Sequence, residues 1–320
     1  ALDSPVYEFR RGAIQSLTEM RSGKCVGKMI EVFERDFHQG LREAAFRCLL
    51  VQGKPAEPFL IRQLQAADVA VRREALQALA RGGSAEALEA TGRLFAVETD
   101  PTVIQAAFDF LAASGAQAGP HFLGGLKSAS EQTRAKSIEG LITLKNKDAL
   151  DAVSAMFLEE GAESVRAAAL AYLRGLGLAS EAALLRGLES KNSKVKLASI
   201  KVLGEIGSDK PLEKIGRLFR EDADREVHAR TFEYLKMLGG RAESHLIAAL
   251  SDGDKEIRRE AAHAVGEARS QAAVPRLIDF MAELDPEMRA ASEAALARIG
   301  PKAIEAVDQA VASGRLKKGA

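Results

Sequence analysis

Large apolar residues recur every 31 positions along this chain. From Phe33 they fall at Leu64, Phe95, Leu126, Phe157, Leu188, Phe219, Leu250 and Met281. Phenylalanine and leucine alternate until the last position, so the underlying period is a pair of units, about 62 residues long. Self-similarity at this spacing is the signature of a stacked-repeat solenoid. A second pattern runs between these marks. An apolar residue is followed four positions later by a small one and eight positions later by leucine, as in Leu41–Ala45–Leu49, Val103–Ala107–Leu111, Val165–Ala169–Leu173 and Val195–Ser199–Leu203. Offsets of 0, 4 and 8 lie on one helical face, and the small middle residue lets neighbouring helices approach closely.

Each unit is therefore expected to hold two helices. A stop follows the first, commonly glycine: Gly53, Gly83, Gly115, Gly177, Gly207, Gly239 and Gly300. Glycine most readily takes the left-handed conformation that ends a helix. The second helix carries the 31-residue register and opens near proline at Pro58, Pro120, Pro211 and Pro275. First-helix starts alternate in spacing between 32 and 30 residues, whereas the second-helix register stays at 31. Side chains alternate with them. Cys48, Phe110, Tyr172 and Tyr234 occupy a position that holds Ser16, Ala78, Gly140, Val202 and Ala264 in the intervening units, which is the large-against-small pattern of interdigitating layers.

Length alone, 320 residues, would suggest about two globular domains, but a solenoid grows along one axis without splitting. Lysine plus arginine equals aspartate plus glutamate at 45 each, so global charge gives no push toward nucleic acid or an anionic membrane. Any charged site must be local. Cys25 and Cys48 read as small core hydrophobes; two thiols make neither a disulfide framework nor a four-ligand zinc set. No uninterrupted run of 18 apolar residues is present, so no membrane insertion is expected. The first ten residues lack the basic start and apolar stretch of a signal peptide, and a cytoplasmic setting is the default. The start without methionine and with Phe9 already opening a unit suggests further sequence upstream.

Units such as Val71-Arg72-Arg73-Glu74-Ala75-Leu76-Gln77-Ala78-Leu79 and Ile257-Arg258-Arg259-Glu260-Ala261-Ala262-His263-Ala264-Val265-Gly266 resemble HEAT repeats of the bacterial, phycobilisome-lyase type. The resemblance covers roughly residues 8–313 as ten units. It implies an all-α solenoid, a right-handed superhelix of two-helix repeats, with an N-terminal extension (1–8), one repeat domain (8–313) and a basic tail (314–320). The last helix, Pro301 to Ala312, is expected to cap the array with Ile304, Val307 and Val311 inward. In that family a basic residue after the opening apolar position pairs with an aspartate in the preceding turn. Arg10, Arg42, Arg72, Arg134, Arg166, Lys196, Arg258 and Arg289 stand there, with Asp36, Asp68, Asp100, Asp224 and Asp254 as partners. Ile104 and His228 break the series, which predicts looser stacking at those units.

The same resemblance implies that the second helices line a concave face. Residues two before each register position should point out of the core: Glu31, Arg62, Arg93, Gly124, Ala155, Arg186, Arg217, Ala248 and Asp279. Arg62 with Arg93, and Arg186 with Arg217, form two basic patches separated by Gly124 and Ala155, suited to clamp an acidic segment of a protein partner. Glu89 and Glu213 stand four before Arg93 and Arg217, at helical ion-pair spacing, which leaves Arg62 and Arg186 as the freer pair.

Other chemistry reads as structural. His121 and His245 share one register with Phe59 but lie four repeats apart, too far to share a metal. Acidic residues at second-helix ends (Glu98 and Asp100; Glu159 and Glu160; Glu221, Asp222 and Asp224; Glu283 and Asp285) fit helix caps better than calcium ligands. No histidine is followed by glutamate, as the di-iron hydroxylases of this repeat class require, and there is no phosphate loop, nucleophile elbow or zincin motif. No cofactor and no metal are expected. The sequence thus points to a non-catalytic protein-binding scaffold or adaptor. The alternatives are a bilin lyase-isomerase or chaperone and, further off, a nucleic-acid binder.

Overall fold

A computed structural model describes residues 1–21, 23–282 and 285–316. Among them all regular structure is helical, and the chain divides into two compact units, Ala1–Gly175 and Leu176–Ala320. In the N-terminal unit, first and second helices alternate: α1 (Tyr7–Met20), α2 (Val26–Arg35), α3 (Gln39–Val51), α4 (Glu57–Gln63), α5 (Val69–Leu79), α6 (Ala85–Val97), α7 (Pro101–Ala113), α8 (Gly119–Gly125), α9 (Glu131–Thr143) and α10 (Leu150–Glu159). Helix α11 (Glu163–Leu176) closes it. The C-terminal unit continues with α12 (Glu181–Gly187), α13 (Ser193–Glu205), α14 (Leu212–Glu221), α15 (Arg225–Leu238), α16 (Glu243–Ala249), α17 (Lys255–Glu267), α18 (Val274–Met281), α19 (Pro286–Ile299) and α20 (Pro301–Ala312).

The predicted faces are the buried ones. Val103, Ala107 and Leu111 of α7 are fully buried, as are Val165, Ala169 and Leu173 of α11. Within the units, first helices pack on a second helix and on the next first helix, as α5 does on α4 and α7, and α17 on α16 and α19. Starts are set by caps. Asp68, Asp100, Ser130, Asn192, Asp224, Asp254 and Asp285 each accept a bond from an amide in the first turn of the helix that follows. Such bonds satisfy donors that the helix itself cannot.

The 62-residue period has a backbone cause. In alternate repeats the first helix ends at Gly53, Gly115, Gly177 or Gly239, all at φ +54° to +64°, and a short 3-10 turn leads into a second helix of only seven residues. Gly53 and Gly239 have ψ near −138° and −128°, a combination that only glycine adopts without strain. The intervening repeats turn at Arg21, Lys145, Gly207 and Arg269. Arg21, at φ 47° and ψ 35°, is in the ordinary left-handed well, open to other residues at modest cost. Gly83, predicted as a stop, is not at positive φ. It is small for another reason: a Cβ there would come within 2.7 Å of the Phe110 ring. The large residues of alternate repeats also tie loops to helices, since the Tyr172 hydroxyl donates to the Asn146 carbonyl and that of Tyr234 to the Ser208 carbonyl.

The ladder of basic residues runs differently from expectation. Arg72 forks onto Glu98 (2.8 and 3.1 Å), 26 residues later in the following turn, and donates to the Ala66 and Ala67 carbonyls in the preceding one. Arg134 does the same with Glu160 and with Ser128 and Ala129. Arg10 with Asp36 and Lys196 with Asp222 repeat the forward pairing. The partners shown for these arginines in the preceding turn are carbonyls, while Asp68, Asp100, Asp224 and Asp254 act as caps. His228 is no weak point. It lies 3.1 Å from Asp252 and stacks on Phe219 at 4.5 Å between centroids.

Burial alone would raise the Glu98 carboxyl. The Asp100 amide, the Arg72 side chain and the Thr99 amide outweigh it and hold Glu98 below its ordinary value. Glu160 and Asp222 are lowered by the same balance.

The capping helix differs in one residue: Ala303 and Ala310 are its buried positions, Val307 and Val311 are half-buried, and Ile304 is 50% exposed. Phe9 is 65% exposed, on a face of α1 that no described residue covers. Cys25 and Cys48 are both buried and unoxidised, and burial, with Cys48 beside it, pushes the Cys25 thiol up. The helical stretch Glu163–Gly187 is long and apolar enough to cross a membrane, but it is interrupted at Gly177 and carries the buried core positions of two repeats. Most of the basic tail and Glu283 lie outside the described residues.

Candidate interaction surface on the second helices

The second helices bury their register residues. Leu64, Phe95, Leu126, Phe157, Leu188, Phe219, Leu250 and Met281 are buried, and Phe33 is half-buried. Two residues earlier the side chains turn outward, because a step of two on a helix is about 200°. Glu31, Arg62, Arg93, Gly124, Ala155, Arg186, Arg217 and Ala248 are all exposed, and Asp279 is intermediate. In the N-terminal unit this row contains Arg62, Arg93, Gly124 and Ala155; in the C-terminal unit it contains Arg186 and Arg217.

The arginines are not paired as their spacing predicts. Arg62, expected to be free, lies 3.6 Å from Glu34 and over the Phe59 ring at 5.8 Å. Arg93 and Arg217 make no ion pair with Glu89 or Glu213. Those glutamates turn to the neighbouring second helix, where Glu89 lies 3.7 Å from His121 Nε2 and Glu213 lies 3.6 Å from His245 Nε2. Arg93, Arg186 and Arg217 project into solvent without a salt bridge among the described residues.

The two histidines sit in matching seats. The His121 ring lies against Gly92 and the His245 ring against Gly216, so close that a Cβ on either glycine would fall 2.1 or 2.2 Å from the ring. His245 is almost fully buried, Arg220 Nη1 lies 3.3 Å from its Nδ1, and its Nε2 has no hydrogen-bond partner among the described residues. The signal was present in the sequence as a motif printed twice, Gly92-Arg93-Leu94-Phe95 and Gly216-Arg217-Leu218-Phe219, each 29 residues before its histidine. The spacing of single residues did not reveal it. No group of three or more His, Cys, Asp or Glu side chains is placed to hold a metal among the described residues.

Comparison with family models agrees with the repeat pattern. The family described as HEAT repeats matches residues 157–236 and 243–316. No curated protein matches the chain. Among solved structures the chain is similar to YibA of Escherichia coli, at 15% identity and a TM-score of 0.43, over 83% of this chain and 98% of that one. It is also similar to a chain in a structure of Kap95p with RanGDP (14% identity, TM-score 0.48, 98% of this chain and 51% of that one). A third is a chain from a study of tubulin recruitment by microtubule polymerases with TOG domain arrays (10% identity, TM-score 0.40, 91% and 89%).

Proposed function

This chain belongs to the HEAT-repeat proteins, and from that premise we propose that it is a non-catalytic scaffold or adaptor whose second-helix face binds a protein partner. The observation that carries the reading is the row of outward side chains. It presents Arg62 and Arg93 in one unit and Arg186 and Arg217 in the other, and three of these four arginines have no salt bridge among the described residues. A long side chain that is unpaired costs little to reorganise when a carboxylate arrives, and a guanidinium can grip it through two bonds. Gly124 and Ala155 leave the surface between α8 and α10 low enough for a chain to lie across it. An acidic segment is the partner chemistry this favours, with affinity concentrated in a few anchors. The cytoplasmic setting expected from the sequence belongs to the same proposal.

The test is capture of partners from source-cell lysate by the wild-type chain and by a variant with Arg62, Arg93, Arg186 and Arg217 all changed to Glu, both first shown to be folded by circular dichroism. Partners held by the wild type and lost by the variant support the reading. Partners retained equally by both sink the arginine face as the binding surface.

A further inference from the structure

The repeat allows the same surface position to be compared several times within one molecule, and one groove stands out. Between α4 and α6 lies an open groove of about 410 Å³, lined by Ile61, Leu64, Ala90, Leu94 and Val97, with Arg93 on its edge. Val97 is 75% exposed. A β-branched apolar side chain so open to water is unusual here, since the other long second helices α2, α10 and α14 carry Arg35, Glu159 and Glu221 at this place. Ala90 sits where Lys28, Lys214 and Arg276 stand in three other long second helices, and it shares alanine only with Ala152 of α10.

In the C-terminal unit one repeat fills this position with charge. There Lys214, the counterpart of Ala90, reaches Glu189, the counterpart of Gln65, at 2.5 Å and bridges α14 to the end of α12. In the α4–α6 groove both ends of that bridge are absent, because the positions hold Gln65 and Ala90. That bridge is missing here; of the charged residues lining the groove, Arg72 and Glu98 pair with each other, and Arg93 stands at the rim. The acids nearby are already engaged: Glu98 by Arg72, Glu34 by Arg62, and Glu89 toward His121. Arg93 is left as uncompensated positive charge beside exposed apolar surface.

We infer that the α4–α6 groove is a docking seat for an acidic segment of a partner protein, taking one bulky apolar side chain against Leu94 and Val97 while flanking carboxylates meet Arg93 and Arg62. This inference rests on the scaffold reading and narrows it to one place and one ligand chemistry. Charge complementarity selects an acidic segment, and the apolar floor demands a side chain larger than alanine between its carboxylates.

The test is panning of a random twelve-residue peptide library against the whole chain, followed by affinity measurement of the selected peptides by fluorescence anisotropy. Enrichment of peptides with a large apolar residue between acidic ones is expected. Their affinity should fall at least tenfold in Val97→Glu and in the double variant Gln65→Glu with Ala90→Lys, and several-fold in Arg93→Ala. Both groove variants install residues that this chain already carries at the same register, so they should fold, and circular dichroism checks this. Selection of peptides lacking this pattern, selection of none, or equal binding to Val97→Glu overturns the seat. Peptides that ignore Val97→Glu but are lost on Arg186→Glu with Arg217→Glu overturn the groove while leaving the scaffold reading intact.

Discussion

Arg72 and Glu98 form a single rung with consequences at both ends. The guanidinium gives two bonds to a nearly buried carboxylate and two more to carbonyls of the preceding turn, so its loss strands several acceptors at once. Arg72→Ala should cost about 2–3 kcal/mol, read as a lower midpoint in urea. The carboxylates of Glu98, Glu160 and Asp222 sit below their ordinary values in the folded chain. They therefore contribute stability that is complete above the ordinary carboxylate range and is lost as pH falls through their lowered values. The thermal midpoint should hold from pH 7 to about 5 and fall progressively below about 4.5, and the fall should be shallower in a variant lacking Arg72. A second residue-scale outcome concerns the histidine seats. Gly92→Ala drives a methyl into the His121 ring and should cost about 1–3 kcal/mol, recovered largely in Gly92→Ala with His121→Ala. Failure of the second change to rescue the first would mean that Gly92 is needed for its backbone.

At the level of the element, the informative contrast is between the two kinds of connector. Gly239 occupies a conformation closed to other residues, so Gly239→Ala should destabilise by about 1–3 kcal/mol. Gly207 also has positive φ, but its counterparts at the other long connectors are Lys145 and Arg269, so Gly207→Asn should stay within about 1 kcal/mol of wild type by the same denaturation. The helices themselves were legible in the sequence because spacing sets which face is buried, and Val103, Ala107 and Leu111 show it. The outward row of second-helix residues was legible for the same reason. What escaped was every contact decided between helices. The sequence offers Asp68 and Asp100 as ladder partners, and Asp100 also as a cap; the cap role wins at both, so the arginines reach forward instead. Glu89 is at good spacing for Arg93 along one helix, yet His121 from the next helix competes for it. The α4–α6 groove was invisible in the 31-residue register because its distinguishing residue, Val97, lies off that register.

For the whole molecule, neighbour-to-neighbour packing means that stability is a sum over repeats and their interfaces. Damage should therefore stay local. Hydrogen exchange in Gly92→Ala should accelerate in the helices around α6 and α8 and leave α17 to α19 at wild-type rates. Uniform acceleration along the chain would show instead that the repeats unfold as one cooperative block.

The paired connectors also set the grain in which this protein can be edited. A cut of 62 residues within the first unit, such as 67–128, joins a loop to its own counterpart and removes the Arg72–Glu98 rung whole, leaving Arg10–Asp36 and Arg134–Glu160 with both partners. A cut of 31 abuts a seven-residue second helix on a partner built to follow a long one, and leaves an arginine facing a turn with no acid. This chain should therefore tolerate being lengthened or shortened by even numbers of repeats better than by odd ones. The shorter excision, although it removes less, is the one expected to yield insoluble protein.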